Sequence, residues 1–364
     1  MSFVRSRPTS FAAIALIAVL VAACASSGSS GSPVVASPTA ATPSSSAAAA
    51  ASASPGSSGL KTHLVVGLGY IPSVQFAQFY LAQQAGYYQE AGLDVEFQNK
   101  IDPDLIPLVG QGALDLGIGD GTSVMPAVSQ GIPIRYIATI YGQFPNILFA
   151  KASSGITSAA DLKGKKIGTP GRYGSGWIFL QALLSTANLT VDDVQIVEYP
   201  DFTQRAAVEQ GAVDAATGFS NNEPVQLERS GTKTTVLHVD DSVPLPGPGL
   251  IAGTKTLDAK HDAIAGFVAA TLRAMKEIQA NPAAGLDAAI KAVPELASDR
   301  DGQAAVLAAT VQSWSGPAQQ AHGLGAIDQA GWTTSISFMD KLKLLAKPVK
   351  TEDLVRSDLL PAGD

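Results

Sequence analysis

The sequence predicts an α/β fold of two lobes, and three observations support this prediction. Short strand-like and helix-like runs alternate between residues 64 and 217, which is typical of βαβ units with a largely parallel sheet. Several short motifs recur about 100 residues apart, which indicates two lobes of similar topology. Two segments rich in glycine and proline, residues 142–145 and 244–249, separate these regions as hinges or domain boundaries do.

In the first third, each element follows from its apolar pattern. Phe76, Phe79 and Tyr80 are spaced i, i+3, i+4 and predict a helix, whereas residues 93–97 alternate apolar and polar as a strand does. The strands are expected at residues 64–68, 93–97, 114–118 and 134–140, and the helices at residues 76–85, 104–110 and 122–130.

The second third repeats this plan. The motif Gln111-Gly-Ala-Leu-Asp115 returns as Gln210-Gly-Ala-Val-Asp214, each time just before an expected strand. Strands are expected at residues 147–150, 166–168, 194–198 and 213–217, and helices at residues 158–161, 178–187 and 202–210. The repeat therefore predicts a second lobe built like the first.

Beyond residue 253 the pattern is helical, with expected helices at residues 261–280, 282–293, 301–314 and 327–345. Because the chain crosses between the lobes twice, lobe one is expected to be discontinuous. We expect lobe one to comprise residues 61–143 and 248–364, and lobe two residues 144–247.

The N-terminal residues predict export. Arg5 and Arg7 precede a short apolar run, residues 11–23, that ends before Cys24, the only cysteine of the chain. This is typical of a lipoprotein signal peptide in residues 1–23, with lipid attached to Cys24. Residues 25–59 lack charged and aromatic side chains and predict a disordered tether, so that residues 24–60 join the lipid to the folded part. We expect an extracytoplasmic lipoprotein anchored to the cell membrane.

The composition and motifs exclude several functions. A net charge of −7 with only 15% charged residues provides no basic field for nucleic acid. The four histidines have no metal-ligand spacing, and no nucleophile–base pair can be argued from the sequence. We therefore expect no catalysis, no metal and no cofactor.

A glycine-rich stretch, residues 168–177, joins an expected strand to an expected helix. Its glycines allow a ligand to approach the backbone, and the helix N-terminus offers free N–H groups, but no nucleotide-loop motif is present. In open α/β sheets, ligands bind beyond the carboxyl ends of the strands, so loops of this kind from both lobes are expected to form a cleft. The expected ligand-binding residues in these loops are Tyr70, Gln75, Asp120, Tyr141, Phe144, Arg172, Tyr173, Gly174, Ser175, Gly176, Trp177, Phe219, Asn222 and Glu223.

An ordered set of short motifs resembles the solute-binding proteins of alkanesulfonate and thiamine-precursor ABC importers. The matching residues are 86–95, 111–115, 130–133, 155–168 and 210–214. The resemblance implies a periplasmic-binding-protein-like (type II) fold, with two α/β lobes on a two-strand hinge and a helical C-terminal region. It also implies closure on a small-molecule ligand and delivery to a permease with a cytoplasmic ATPase; we expect a monomer.

The same family includes a fungal enzyme that makes the thiamine pyrimidine from pyridoxal phosphate and its own histidine, with a histidine in its first helix and a cysteine cluster. The matching stretch here, residues 75–79, contains no histidine, which favours a binding protein. The ligand expected first is a thiamine pyrimidine precursor, because Glu223 can accept N–H bonds from an aminopyrimidine. A flavin is the first alternative, since residues 69–76 resemble the first loop of riboflavin-binding members. A sulfonate or other organic acid, bound by Arg172 and helix N–H groups, is the second.

Overall fold

The computed structural model describes residues 61–100, 104–239 and 245–361. These residues form two five-stranded sheets, each the centre of one lobe. The sheet of lobe one contains β1 (Thr62–Leu68), β2 (Leu93–Asn99), β3 (Leu116–Asp120), β4 (Ile134–Thr139) and β10 (Pro248–Gly253). The sheet of lobe two contains β5 (Asn146–Lys151), β6 (Lys166–Thr169), β7 (Gln195–Glu198), β8 (Ala215–Phe219) and β9 (Thr234–Leu237).

The two sheets have the same topology. Their strand orders are β2-β1-β3-β10-β4 and β7-β6-β8-β5-β9. In each sheet one strand, β10 or β5, is antiparallel to both of its neighbours, and the other four share one direction. The reversed strand is the one that enters its sheet from the other lobe. The sheets are largely parallel, as predicted, but the reversal of one strand in each was not predicted. It arises because a chain that arrives at the carboxyl edge of a sheet must run back through it.

Helices cover both faces of each sheet. In lobe one they are α1 (Ala77–Gln84), α2 (Tyr87–Glu90), α3 (Leu105–Gln111) and α4 (Gly121–Ser129); in lobe two they are α5 (Gly174–Thr186), α6 (Gln204–Gln210) and α7 (Glu223–Arg229). The C-terminal region adds α8 (Thr254–Ala259), α9 (His261–Ala280), α10 (Pro282–Ala292), α11 (Arg300–Ser313), α12 (Pro317–His322), α13 (Gln329–Lys341) and α14 (Thr351–Leu354). Among the described residues, none of these helices has both the length and the apolar character of a membrane span.

Inner strands such as β5 and β10 are buried on both faces and are therefore continuous apolar runs, whereas the edge strand β2 alternates buried and exposed residues. Along β5, Leu148 packs with Phe179 and Leu183 of α5, and the neighbouring Phe149 packs on the opposite face with Val208 of α6. In lobe one, helix α9 covers the sheet with aromatic contacts, since Phe267 stacks on Phe79 and Tyr88 at centroid distances of 6.3 Å and 4.9 Å. Helices α9, α10 and α11 therefore belong to the core of lobe one.

The repeated motif has the same structural role in both lobes. The carboxylate of Asp115 accepts the N–H of Val65 in β1 at 2.9 Å, and that of Asp214 accepts the N–H of Lys166 in β6 at 2.8 Å. Gly112 and Gly211 end the preceding helices with φ of 77° and 76°, a conformation that favours glycine. The sequence repeat is thus a helix end followed by an aspartate that binds a strand of its own sheet, β1 in lobe one and β6 in lobe two.

Several local predictions need correction. Helix α6 begins at Gln204 rather than at residue 202, and strand β9 and helix α7 were not expected. The motif at residue 158 forms a 3-10 helix, Ala159–Leu162, that Asp161 caps. The predicted signal peptide, Cys24 and tether lie outside the described residues.

Candidate ligand-binding site

A cavity lies between the two lobes, where the carboxyl ends of the strands face each other. Counted together with the solvent space at its mouth, its volume is about 980 Å³. One part of its wall belongs to lobe one and to the two segments where the chain crosses between the lobes. This part consists of Gly69, Tyr70, Gln75, Phe76, Ile118, Asp120, Tyr141, Asn146 and Pro248. Its lobe-two wall consists of Pro170, Tyr173, Gly174, Ser175, Gly176, Phe202, Gln204, Thr217, Gly218, Phe219, Asn222 and Glu223.

The N-terminus of α5 opens onto the cavity. Tyr173 precedes the helix in an extended conformation (φ −148°, ψ 170°), and its side chain does not cap the helix. The N–H groups of Gly174, Ser175 and Gly176, the first three residues of α5, are therefore those that a helix leaves without an intrahelical partner. The ring of Tyr173 lies over Gly171, where a Cβ would lie 2.3 Å from a ring carbon, so glycine is required at that position.

An edge-to-face pair of aromatic rings joins the lobes across the cavity. The ring centroids of Tyr70 and Phe202 are 4.8 Å apart, with an angle of 82° between their planes. Phe202 has a φ of 58°, which is unusual for a bulky side chain, and its loop holds it with a hydrogen bond from its N–H to the carbonyl of Tyr199 at 3.0 Å. Tyr141 and Phe219 form a second such pair at 6.5 Å.

Glu223 introduces a carboxyl group into this largely apolar space. The residue is 7% exposed, and one of its carboxyl oxygens accepts the N–H of Phe219 at 2.7 Å while the other accepts Nδ2 of Asn222 at 3.0 Å. Burial raises the pKa of the Glu223 carboxyl, although these hydrogen bonds oppose the shift. Burial and the charge of Glu223 also raise the pKa of Tyr70. Gly218 leaves room for the carboxyl, because a Cβ there would lie 2.6 Å from Glu223 Oε2.

Asn221 connects the lobes beside the cavity. Its Nδ2 lies 2.9 Å from Oε1 of Gln75, 2.8 Å from Oγ1 of Thr310 in α11 and 3.4 Å from the hydroxyl of Tyr141. Asn221 belongs to lobe two, whereas Gln75 and Thr310 belong to lobe one. These hydrogen bonds therefore exist only when the lobes are close together.

The structure brings eleven of the fourteen expected residues to the cavity wall and leaves three outside it. Arg172 is exposed; its Nε donates to Glu198 at 3.1 Å and its guanidinium lies 5.3 Å from the ring centroid of Trp177. Trp177 is one turn into α5 and packs on the core of lobe two. Phe144 is buried in that same core, 6.4 Å from Phe179.

Sequence reasoning missed the loop between β7 and α6, which brings Phe202 and Gln204 to the cavity. The sequence placed the start of this helix at residue 202, so Phe202 was not recognised as part of a strand-to-helix loop. Ligands of open α/β sheets bind at such loops. Asn146 and Thr217 were also missed, because each lies within a strand and reads as part of a buried segment.

The charged side chains that line the cavity are all acidic among the residues that the structure describes. Its lining contains Asp120 and Glu223, and no lysine, arginine or histidine among the residues that the structure describes. Across residues 61–100, 104–239 and 245–361, no group of three or more His, Cys, Asp or Glu side chains is arranged to hold a metal ion. The site is therefore suited to a neutral or weakly basic ligand with a flat apolar body.

Comparison with known proteins agrees with this architecture. The family model described as NMT1/THI5 like matches residues 73–285. The chain is 31% identical to the riboflavin-binding protein RibY of Chloroflexus aurantiacus over 85% of this chain and 89% of that protein. The chain belongs to the NMT1/THI5-like family.

Other members of the NMT1/THI5-like family carry different names. A formylaminopyrimidine-binding protein of Halalkalibacterium halodurans is 26% identical over 80% of this chain and 89% of the relative. A 4-amino-5-hydroxymethyl-2-methylpyrimidine phosphate synthase of Legionella pneumophila is 27% identical over 66% of this chain and 76% of the relative. The relatives named above thus include both binding proteins and an enzyme.

The fold is that of the periplasmic binding proteins. The alkanesulfonate-binding protein SsuA of Xanthomonas axonopodis pv. citri superposes with a TM-score of 0.65 at 17% identity, over 82% of this chain and 100% of that protein. The predicted resemblance and the predicted two-lobed fold are both confirmed.

Proposed function

We propose that this protein captures riboflavin between its lobes and delivers it to the permease of an ABC importer, without catalysing a reaction. The observation that carries this proposal is the composition of the cavity wall. Aromatic rings from both lobes border it, and the described residues that line it include two carboxyl groups and no cationic side chain. Such a wall favours a neutral, flat, aromatic ligand.

The similarity to RibY supports a flavin over a single pyrimidine ring. RibY is named as a riboflavin-binding protein, and this chain is 31% identical to it over 85% of the chain. Aromatic rings of both lobes border the cavity, so a ligand of several fused rings would contact more of the wall than a pyrimidine would.

The charge of the site argues against anionic ligands. Sulfonates, flavin phosphates and pyridoxal phosphate would each bring negative charge next to Asp120 and Glu223. Arg172, the cation expected to bind a sulfonate, is paired with Glu198 outside the cavity. The same argument counts against the synthase activity of some relatives, since a phosphorylated pyridoxal would have to enter this site.

A thiamine pyrimidine precursor is the second candidate, and Glu223 is the observation in its favour. Each carboxyl oxygen of Glu223 accepts one hydrogen bond and retains a lone pair for a ligand amino group. The chain is similar to the formylaminopyrimidine-binding protein over 80% of its length, and this similarity also supports the candidate.

Thermal unfolding of the purified domain, residues 60–364, with each ligand in turn tests the proposal. Riboflavin should raise the melting temperature in proportion to the logarithm of its excess over the dissociation constant, and it should lose its fluorescence on binding. Flavin mononucleotide, taurine and hydroxymethylpyrimidine should leave the melting temperature unchanged. A shift with formylaminopyrimidine alone would select the second candidate, and turnover of pyridoxal phosphate would overturn the binding function.

We also propose that the chain is a monomeric lipoprotein held outside the cell membrane by a lipid on Cys24. The argument is the signal-like sequence that ends at this cysteine. The variant Cys24→Ser should abolish incorporation of labelled fatty acid into the protein. Labelling that persists in this variant would contradict the proposal.

A further inference from the structure

Three polar side chains of lobe two lie at the cavity and each has one buried atom without a partner. They are Asn146, Gln204 and Thr217, which are 2%, 2% and 1% exposed. The unpaired atoms are Nδ2 of Asn146, Oε1 of Gln204 and Oγ1 of Thr217. A buried polar atom without a partner is unfavourable, and few persist in native proteins unless water or a ligand supplies the missing hydrogen bond.

Asn146, Gln204 and Thr217 line the same cavity, and Thr217 is close to each of the other two. Gln204 Nε2 donates to the carbonyl of Thr217 at 3.5 Å. Strands β5 and β8 are antiparallel, with Asn146 opposite Phe219 and Leu148 opposite Thr217, so Asn146 and Thr217 share a face of the sheet. A Cβ at Gly176 would lie 3.6 Å from both Asn146 Oδ1 and Thr217 Oγ1. The first turn of α5 therefore lies directly over this pair.

The hydrogen-bonding capacity of the group follows from its chemistry. The carbonyl of Thr217 can only accept, so the Gln204 amide must turn its nitrogen toward it and keep its oxygen as a free acceptor. Asn146 Oδ1 accepts the hydroxyl of Ser175 at 3.4 Å, which leaves Nδ2 as a free donor. The hydroxyl of Thr217 completes the set as a second donor. Two donors and one acceptor thus belong to residues that line the same cavity.

We infer that Asn146, Gln204 and Thr217 recognise the pyrimidinedione edge of the flavin. This edge presents N3–H between two carbonyl oxygens. In the proposed orientation N3–H donates to Gln204 Oε1, and the two carbonyl oxygens accept from Asn146 Nδ2 and from the hydroxyl of Thr217. An aminopyrimidine edge offers a single ring acceptor beside its amino group and would leave one of the protein donors unpaired. This inference rests on the proposed function, because it assigns an orientation to the ligand proposed there.

The orientation has a consequence for the rest of the ligand. With the pyrimidinedione edge against lobe two, the other end of the ring system and the ribityl chain point toward Tyr70 and the mouth of the cavity. The site should therefore accept any cyclic imide fused to a flat aromatic system, and the N3–H group of the ligand decides whether it binds.

Titration of flavin fluorescence with riboflavin and 3-methylriboflavin, which lacks N3–H, tests the inference on the full folded domain. The wild-type protein should bind riboflavin at least 100-fold more tightly than the methylated analogue. Gln204→Met removes the acceptor and should reduce this ratio to below 10-fold. The matched control is Gln195→Met, since Gln195 also donates its Nε2 to a backbone carbonyl, that of Gly164, but on the exposed surface; it should keep the full ratio.

A second pair of variants separates recognition from folding. Thr217→Val replaces an unpaired buried hydroxyl by a methyl group, so the ligand-free protein should melt at the same temperature or higher while riboflavin binding weakens at least 10-fold. Gly176→Ala adds a methyl group with ordinary 3.6 Å contacts to the protein, so it should fold normally and also weaken binding. Unchanged riboflavin affinity in both variants would overturn the inference.

The outcomes distinguish this inference from the function on which it rests. Riboflavin binding with equal affinity for the 3-methyl analogue overturns the inference and leaves the proposed function intact. No binding of riboflavin at all overturns the proposed ligand and, with it, the orientation.

Discussion

The ring of Tyr70 meets the ring of Phe202 edge to face at 4.8 Å, and this contact joins the two lobes at the cavity. A pair of this kind contributes about 0.5–1.5 kcal/mol beyond the area that it buries. Because one ring belongs to each lobe, the contact forms only as the lobes approach. The two rings are therefore placed both to contact a flat ligand and to favour closure around it.

Removal of the Phe202 ring should weaken riboflavin binding. We expect Phe202→Ala to lower the affinity at least 10-fold, because both a ligand contact and an interlobe contact are lost. Trp177→Ala is the control, since Trp177 is an aromatic side chain of the same lobe that lies outside the cavity. Fluorescence titration should show less than a twofold change for Trp177→Ala, and equal effects of the two variants would contradict the site.

The hydrogen bonds of Asn221 should stabilise the closed arrangement of the lobes. Asn221→Leu keeps the side-chain volume but leaves Gln75 Oε1 without its donor and removes the bond to Thr310, which costs about 1–3 kcal/mol when buried. We expect a larger radius of gyration by small-angle X-ray scattering and a riboflavin affinity about 10-fold lower. Asn188→Gly, at an exposed position with a φ of 56°, should change neither quantity.

The buried carboxyl of Glu223 should make stability depend on pH. Burial raises the pKa of Glu223 above its ordinary value of 4.5, so the folded protein retains a proton that the unfolded chain has already lost. Its contribution to the free energy of unfolding is thus fully present below pH 4.5 and decreases as the pH rises through the raised pKa.

Urea unfolding between pH 4 and pH 8 measures this effect as the difference between wild type and Glu223→Gln. The stability of the variant relative to wild type should increase as the pH rises. Glu228→Gln, an exposed position in the same helix, serves as the control and should show no such trend. A flat difference for Glu223→Gln would mean that the carboxyl has the same pKa in the folded and the unfolded protein, which would contradict the effect of burial.

The two aspartates of the sequence repeat should differ in their importance for stability. Asp115 accepts both the N–H of Val65 and Nζ of Lys260, at 2.9 Å and 2.8 Å, and is partly buried, whereas Asp214 accepts the N–H of Lys166 and is exposed. We expect Asp115→Asn to lower the free energy of unfolding by about 2 kcal/mol and Asp214→Asn by less than about 1 kcal/mol. Urea unfolding at neutral pH compares the two, and equal losses would contradict a role for Lys260.

Much of the architecture was readable from the sequence because it follows from chain-local patterns. The alternation of elements and the recurrence of Gln-Gly-Ala-x-Asp predict two lobes of similar topology, and the structure has two sheets with matching strand orders. The reversed direction of β5 and β10 was not predicted, because direction depends on the edge at which the chain enters a sheet.

The cavity was predictable in outline and less so in detail. Strand-to-helix loops could be identified from the pattern, which is why Tyr70, Tyr173 and Glu223 were expected in the wall. Trp177 and Arg172 were expected in the wall because they are close in sequence to Tyr173. Trp177 instead lies one turn into α5 and packs on the core of lobe two, and Arg172 forms an ion pair with Glu198. Asn146 and Thr217 could not be predicted in the wall, because nothing in the sequence indicates whether a polar residue within a strand has a hydrogen-bond partner. Their unpaired atoms are evident only in the structure.

The position of β10 between β3 and β4 also affects the order in which the chain can fold. A nascent chain that stops before Pro248 contains every strand of the second sheet, but the first sheet still lacks the strand between β3 and β4. The second lobe can thus become structured while the first waits for a strand distant in sequence, and such long-range pairing is slow. The sheet of lobe one can therefore be completed only after the chain has been synthesised as far as Gly253.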